Sequence, residues 1–147
     1  MKKKLIKVIV IGAGKISDEY LKILKKNNKV KVVGIVSRTV KSCENKAIKF
    51  KIPNYGISLE GMMNVLKPHL AIVCVSTSET VNVCKKLFKF KCVCMIEKPL
   101  GLSLKESLRN FVFVYFCFNE NSNSKLLSSS FANSSSSSLS SSILSLF

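Results

Sequence analysis

The sequence predicts an α/β protein built on a doubly wound parallel sheet. Three observations carry that prediction. Residues 7–17 read Lys-Val-Ile-Val-Ile-Gly-Ala-Gly-Lys-Ile-Ser, a β-branched apolar run that stops at a glycine and passes at once into a helical pattern. Strand-like and helix-like stretches then alternate about five times before residue 110, the signature of a sheet wound with crossover helices. Finally, the chemically distinctive residues Gly12, Ser37, Arg38, Ser76, Thr77, Glu97 and Lys98 all follow strand-like runs. Open parallel sheets bind ligands beyond those carboxyl ends.

Each element has its own justification. Leu5 and Ile6 join residues 7–11 as a first strand. Gly12 permits a tight turn, Gly14 lets backbone approach a phosphate, and Ser17 is small enough for close helix–strand packing. Ala13, Lys15 and Ile16 complete the turn as cofactor contacts, and the helix N-terminus offers free N–H groups and a positive dipole end. Ile16, Tyr20, Ile23 and Leu24 fall at helical spacing over residues 15–26, and Asn27-Asn28 ends that helix. Residues 30–37 are a second strand, completing one βαβ unit.

After that strand the chain reads Ser37-Arg38-Thr39, with no carboxylate to take the ribose hydroxyls of NAD. A guanidinium with two hydroxyls suits a 2′-phosphate, so NADP is the preferred cofactor and NAD the alternative. Residues 40–50 form a helix with Ala47, Ile48 and Phe50 on its apolar side. A turn with a short third strand follows at Ile52–Gly56. Ser58 caps the next helix, which places Met62, Met63, Val65 and Leu66 in the core and stops at Lys67-Pro68. Residues 70–76 are a continuous buried strand leading to the cofactor contacts Ser76 and Thr77. A helix to Phe88, a strand over 92–96 and a further helix from Leu104 toward Asn110 complete the alternation.

The 147 residues, 47% of them hydrophobic, suffice for one domain with a core. The expected boundaries are a dinucleotide-binding domain over 1–110, an aromatic segment over 111–121, and a Ser/Asn-rich tail over 122–147. That tail has too little apolar surface to fold, and disorder is expected. The run Phe111–Phe118 could add a strand at the sheet edge, bury against the domain, or be foreign to the ancestral protein. The net charge of +16 is spread over lysines throughout the chain rather than gathered in one stripe with stacking aromatics. General compositional bias accounts for it better than a nucleic-acid surface does.

Six cysteines include no C-x-x-C pair, and His69 is the single histidine, so buried reduced thiols are expected and metal is not. Met1–Ile6 imitates the charged start of a signal peptide, but Lys7 and Lys15 interrupt the apolar stretch. No run approaches the ~20 apolar residues of a membrane span. The expectation is a cytoplasmic protein with no membrane partner.

The combination resembles the N-terminal domain of the Gfo/Idh/MocA oxidoreductases, the family of glucose–fructose oxidoreductase and inositol dehydrogenase. The resemblance covers 5–110, through G-A-G-K-I-S at 12–17, V-G-I-V-S-R at 33–38, V-S-T-S at 75–78 and E-K-P-L at 97–100. It implies an NAD(P)-binding Rossmann domain and hydride transfer between a nicotinamide and a small hydroxylated substrate, sugar- or cyclitol-like. Lys98 would reach the nicotinamide and the substrate hydroxyl and assist proton movement. Glu97 would help hold Lys98 in place, and Pro99 would fix the turn. Ser78 and Asn82 stand where the family usually has proline and often has histidine.

Family members continue into a second, antiparallel-sheet domain that supplies substrate contacts. The pattern of this chain changes instead at Phe111, so the resemblance implies the cofactor-binding part of such an enzyme, a truncated one, and leaves independent turnover in doubt. Two alternatives differ in class. One is a non-catalytic NADP(H)-binding or regulatory module that forms homo- or hetero-oligomers through exposed sheet edges. The other, less favoured, is a basic nucleic-acid binder.

Overall fold

Val8, Ile9, Val10 and Ile11 are almost completely removed from solvent on both faces of the first strand, and the sheet is built outward from them. The computed structural model describes residues 5–105, 107 and 108. The 111–121 segment, with its aromatic run, and the Ser/Asn-rich tail lie outside the described residues. Strand β1 (Ile6–Ile11) lies between β2 (Val30–Val36) and β4 (Leu70–Val73). Short β3 (Tyr55–Gly56) flanks β2, and β5 (Val93–Ile96) flanks β4, giving the order β3-β2-β1-β4-β5 with every pairing parallel. This is the doubly wound parallel sheet predicted.

The alternation of side chains along β1 sends two sets to opposite layers. Val10 packs with Leu21, Ile35, Cys43 and Ala47, which places α1 (Lys15–Lys26) and α2 (Val40–Phe50) on one face. Ile9 and Ile11 pack with Leu59, Met63 and Leu87, which places α3 (Leu59–Leu66) and α4 (Thr77–Leu87) on the other. Full burial of each aliphatic side chain contributes about 1.5–3 kcal/mol, so β1 carries a large share of the core. The β1–β2 register shifts between Val8 and Ile9, opposite Gly34. A Cβ on Gly34 would stand 2.6 Å from Leu66 Cδ1 and 2.9 Å from Met62 Cε, so its absence lets α3 press against the sheet.

The predicted helices form nearly at the predicted bounds, and Ala47 and Met63 are buried as expected, but four positions on the apolar faces are corrected. Ile16, Ile23, Ile48 and Val65 were expected on apolar faces, yet all four are exposed, Val65 at 81%. The buried pairs are Ser17 with Leu21, Cys43 with Ala47, and Leu59 with Met63. Helix α4 likewise buries Thr80 and Cys84. Each pair has i,i+4 spacing, and three of the four include small residues that let a helix approach the sheet. A surplus of Ile and Val masked that stripe, because periodicity alone counts apolar residues and not fit.

Helix ends show why the elements stop. Thr39 Oγ1 accepts the Ser42 N–H at 3.4 Å and Ser58 Oγ accepts the Gly61 N–H at 3.2 Å, capping α2 and α3. Both helices end on a lysine in the left-handed region, Lys51 at φ 53 and Lys67 at φ 44. Cys43, Cys74, Cys84 and Cys92 are buried thiols outside any disulfide and Cys94 is half-buried, while Cys117 lies outside the described residues. Burial pushes the Cys74 thiol up to about 11 and Cys92 up to about 12, so both stay protonated. His69 Nδ1 accepts the Lys7 N–H at 3.0 Å, tying the entry of β1 to that of β4. Leu104, Lys105, Ser107 and Leu108 are helical, with the Ser107 N–H donating to the Ser103 carbonyl at 2.9 Å. No helix among the described residues is long and apolar enough to cross a membrane.

Candidate functional site

The turn from β1 into α1 has two glycines with different duties. Gly12 sits at φ +108, and a Cβ there would run into the Cys74 carbonyl, whose carbon lies 2.6 Å away. Its N–H donates to the Val36 carbonyl at 2.7 Å, so β1, β2 and the exit of β4 meet on this one residue. Gly14 has ordinary φ −76, is the N-cap of α1, and has nothing within 4 Å of where its Cβ would be. Ser17 is fully buried, and its hydroxyl donates to the Gly14 carbonyl at 2.6 Å. The fold thereby satisfies the one polar group that serine adds over a glycine or alanine.

No side chain caps α1. Its first N–H groups therefore point past Gly14 into open space with the positive end of the helix dipole behind them. Lys15 and Ile16 are exposed beside this opening and Ala13 is half-buried beneath it. Asp18, in the first turn, receives bonds from Lys46 and, at 3.0 Å, from Lys49 of α2. The Lys46 ammonium holds its carboxyl below the ordinary 3.8, with Lys49 adding to the effect and burial opposing it.

The exit of β2 brings Ser37, Arg38 and Thr39 to the same edge. Ser37 Oγ donates to the Thr39 carbonyl at 2.9 Å, and Thr39 Oγ1 also lies 2.6 Å from Ser42 Oγ. Both hydroxyls shape the turn, which leaves Arg38 exposed as the charged member of the three. At the exit of β4, Ser76 is the N-cap of α4 without a capping side-chain bond, its hydroxyl lying 3.2 Å from that of Ser78. Thr77 opens the helix, and the buried Thr80 hydroxyl donates to the Ser76 carbonyl at 3.2 Å.

The exit of β5 carries Glu97 and Lys98. The Glu97 N–H donates to the Val73 carbonyl at 3.0 Å, and the Lys98–Pro99 peptide is cis. Glu97 was expected to hold Lys98, but its side-chain partner is the hydroxyl of Tyr20, which donates to Oε2 from α1. That bond, then burial, push the Tyr20 phenol up to about 12. Lys98 is exposed. Sequence reasoning assigned Tyr20 only to an apolar stripe; the available signal was a hydroxyl-bearing ring in an otherwise aliphatic row.

Four strand exits thus bring the predicted residues to one edge of the sheet. A separate cavity of about 240 Å³, lined by Leu21, Leu24, Val30, Phe50 and neighbouring lysines, lies at the entry of β2 and contains none of them. Among the described residues no three His, Cys, Asp or Glu side chains gather as a metal site.

A parallel sheet in this order, with a glycine turn opening onto an uncapped helix, defines the dinucleotide-binding Rossmann class. The particular family follows from the sequence match. The model described as oxidoreductase family, NAD-binding Rossmann fold, matches residues 6–112, and the chain belongs to that Gfo/Idh/MocA family.

Solved structures share the fold. GenD2 from gentamicin A biosynthesis, in complex with NAD, is 16% identical with TM-score 0.70, covering 78% of this chain and 32% of its own. Myo-inositol 2-dehydrogenase from Lactobacillus plantarum is 17% identical with TM-score 0.69, covering 79% and 34%. A 3-ketoreductase from Actinomadura kijaniata, in complex with NADP and TDP-benzene, is 17% identical with TM-score 0.68, covering 78% and 35%. The chain spans about a third of the length of these solved proteins. No curated protein matches it.

Proposed function

We propose that the chain binds NADP(H) at the carboxyl edge of its sheet and serves as the cofactor domain of an oxidoreductase acting on a small hydroxylated, sugar- or cyclitol-like compound. The observation that carries this reading is the open, uncapped N-terminus of α1 behind Gly14. Gly12, Ala13, Gly14, Lys15 and Ile16 would surround the pyrophosphate. Ser76 and Thr77, at the second uncapped helix, would line its continuation. Arg38 would fork onto the 2′-phosphate, while Ser37 and Thr39 hold its turn in shape. Within residues 1–110, taken as the domain, Lys98 would stand at the nicotinamide end, where an ammonium can donate to or accept from a substrate hydroxyl as hydride moves. Solved proteins of the same fold bound to NAD and to NADP support the ligand class.

Titration of the purified chain with NADPH and NADH, read by nicotinamide fluorescence, tests the proposal. Saturable binding that favours NADPH and vanishes in Gly14→Val is expected. A folded chain that binds neither dinucleotide refutes it. Binding without turnover of polyols or sugars, together with a stable protein partner, favours the regulatory-module reading over the enzyme.

A further inference from the structure

Helix α1 begins just after its N-cap Gly14, beside the proposed pyrophosphate position, and carries Tyr20 within its second turn. The Tyr20 ring is half-buried against Val8, Ile72 and Cys74, over the sheet face that α1 covers. From there its hydroxyl reaches Glu97, 77 residues away in sequence and next to Lys98. One rigid helix therefore touches both ends of the proposed site: its first turn faces the phosphates, and its tyrosine grips the turn after β5. The Glu97 N–H on the Val73 carbonyl ties the same turn to the sheet. β5 itself pairs only with β4 among the described residues.

We infer that Tyr20 is a positioning residue, which fixes the Glu97–Lys98 turn to α1 and so sets the nicotinamide end of the site against its phosphate end. The inference rests on the cofactor reading above. Its consequence is selective. Tyr20 should matter for a whole dinucleotide that spans both ends, and not for its adenine half, which meets only the β1 and β2 exits.

The test compares Tyr20→Phe with the parent in the full 147-residue chain. NADPH and 2′,5′-ADP (the adenine half alone) are titrated against each, with circular dichroism confirming that both are folded. The phenylalanine ring keeps the packing and removes only the donor. A bond to a carboxylate is worth enough that NADPH affinity should fall about tenfold, with 2′,5′-ADP affinity unchanged. Glu97→Ala should weaken NADPH binding as well, and adding Tyr20→Phe to it should cost nothing further, because the two act as one unit. Unchanged NADPH affinity in Tyr20→Phe overturns the inference, as do equal losses for both ligands or additive effects in the double variant. If the parent binds neither ligand, the cofactor reading itself has failed, and that outcome is distinct from a parent that binds both while Tyr20→Phe changes nothing.

Discussion

Four helices start at or near the same edge of the sheet, and they start in two different ways. α2 and α3 are closed by the side chains of Thr39 and Ser58, whereas α1 and α4 have no capping side-chain bond. A cap is worth about 1 kcal/mol, so a chain that forgoes two of them leaves N–H groups to some other acceptor or to water. The two uncapped ends follow β1 and β4, the neighbouring strands at the centre of the sheet. There the strand order reverses, and a crevice opens between the helices on opposite faces. The contrast teaches that a helix start finished by its own side chain belongs to the fold, and one left bare beside a glycine is open to a ligand.

The sharpest way to break that comparison is Gly14→Val. Gly14 has ordinary backbone angles and empty space around its Cβ position, so the variant should fold, losing no more than about 1 kcal/mol. Its branched side chain would fill the space that the bare N–H groups face, and saturable NADPH binding should disappear. Gly12→Ala is the control. With φ +108 and the Cys74 carbonyl in the way, it should lose about 3 kcal/mol or more of stability. Thermal melts beside the fluorescence titration separate the two. Equal destabilisation by both would mean that Gly14 is structural.

At the β2 exit the same logic divides neighbours. Arg38 is exposed, while Thr39 is committed to the α2 cap. Arg38→Asp should shift the NADPH-to-NADH affinity ratio about tenfold or more toward NADH, since it trades a bidentate phosphate partner for a repelling carboxylate. Thr39→Ala should cost about 1 kcal/mol of stability and move that ratio far less. Ratios measured at one ionic strength check both, and an unmoved ratio in Arg38→Asp removes the NADP preference.

Much of this edge was legible in the chain itself, for physical reasons. Gly12 marks a backbone requirement that is local, Gly14 marks a local need for open space, and the βαβ alternation fixes which ends of strands share an edge. The family's E-K-P-L run at 97–100 pointed to the fourth exit. Four positions, Ile16, Ile23, Ile48 and Val65, were misplaced on inward faces, because periodicity does not register that Ser17 and Cys43 take inward places for their small size and not for their hydrophobicity. The Tyr20–Glu97 bond was invisible for another reason. It joins directly two residues 77 apart, one on α1 and one at the exit of β5, and no local pattern encodes that geometry.

The smallest effect concerns Asp18, the acid in the first turn of α1. A carboxylate there favours the helix dipole but would repel a phosphate bound at the helix start. Lys46 and Lys49 of α2 resolve the conflict by pairing with Asp18, so the first turn presents N–H groups without a free negative charge. The carboxyl is thereby held below its ordinary 3.8. A depressed folded value means that the tie between α1 and α2 is fully present above 3.8 and is lost as pH falls through the folded value. Asp18→Asn should therefore cost less than about 1 kcal/mol at neutral pH and flatten the acid limb of the melting temperature against pH below 3.8. Parallel acid limbs in the two proteins would show that the pair is not part of the folded-state balance. If Asp18→Asn also left NADPH affinity unchanged, the two lysines would indeed neutralise the acid completely; tighter binding would show that residual negative charge still opposes the phosphate at the one helix start the fold leaves open behind a glycine.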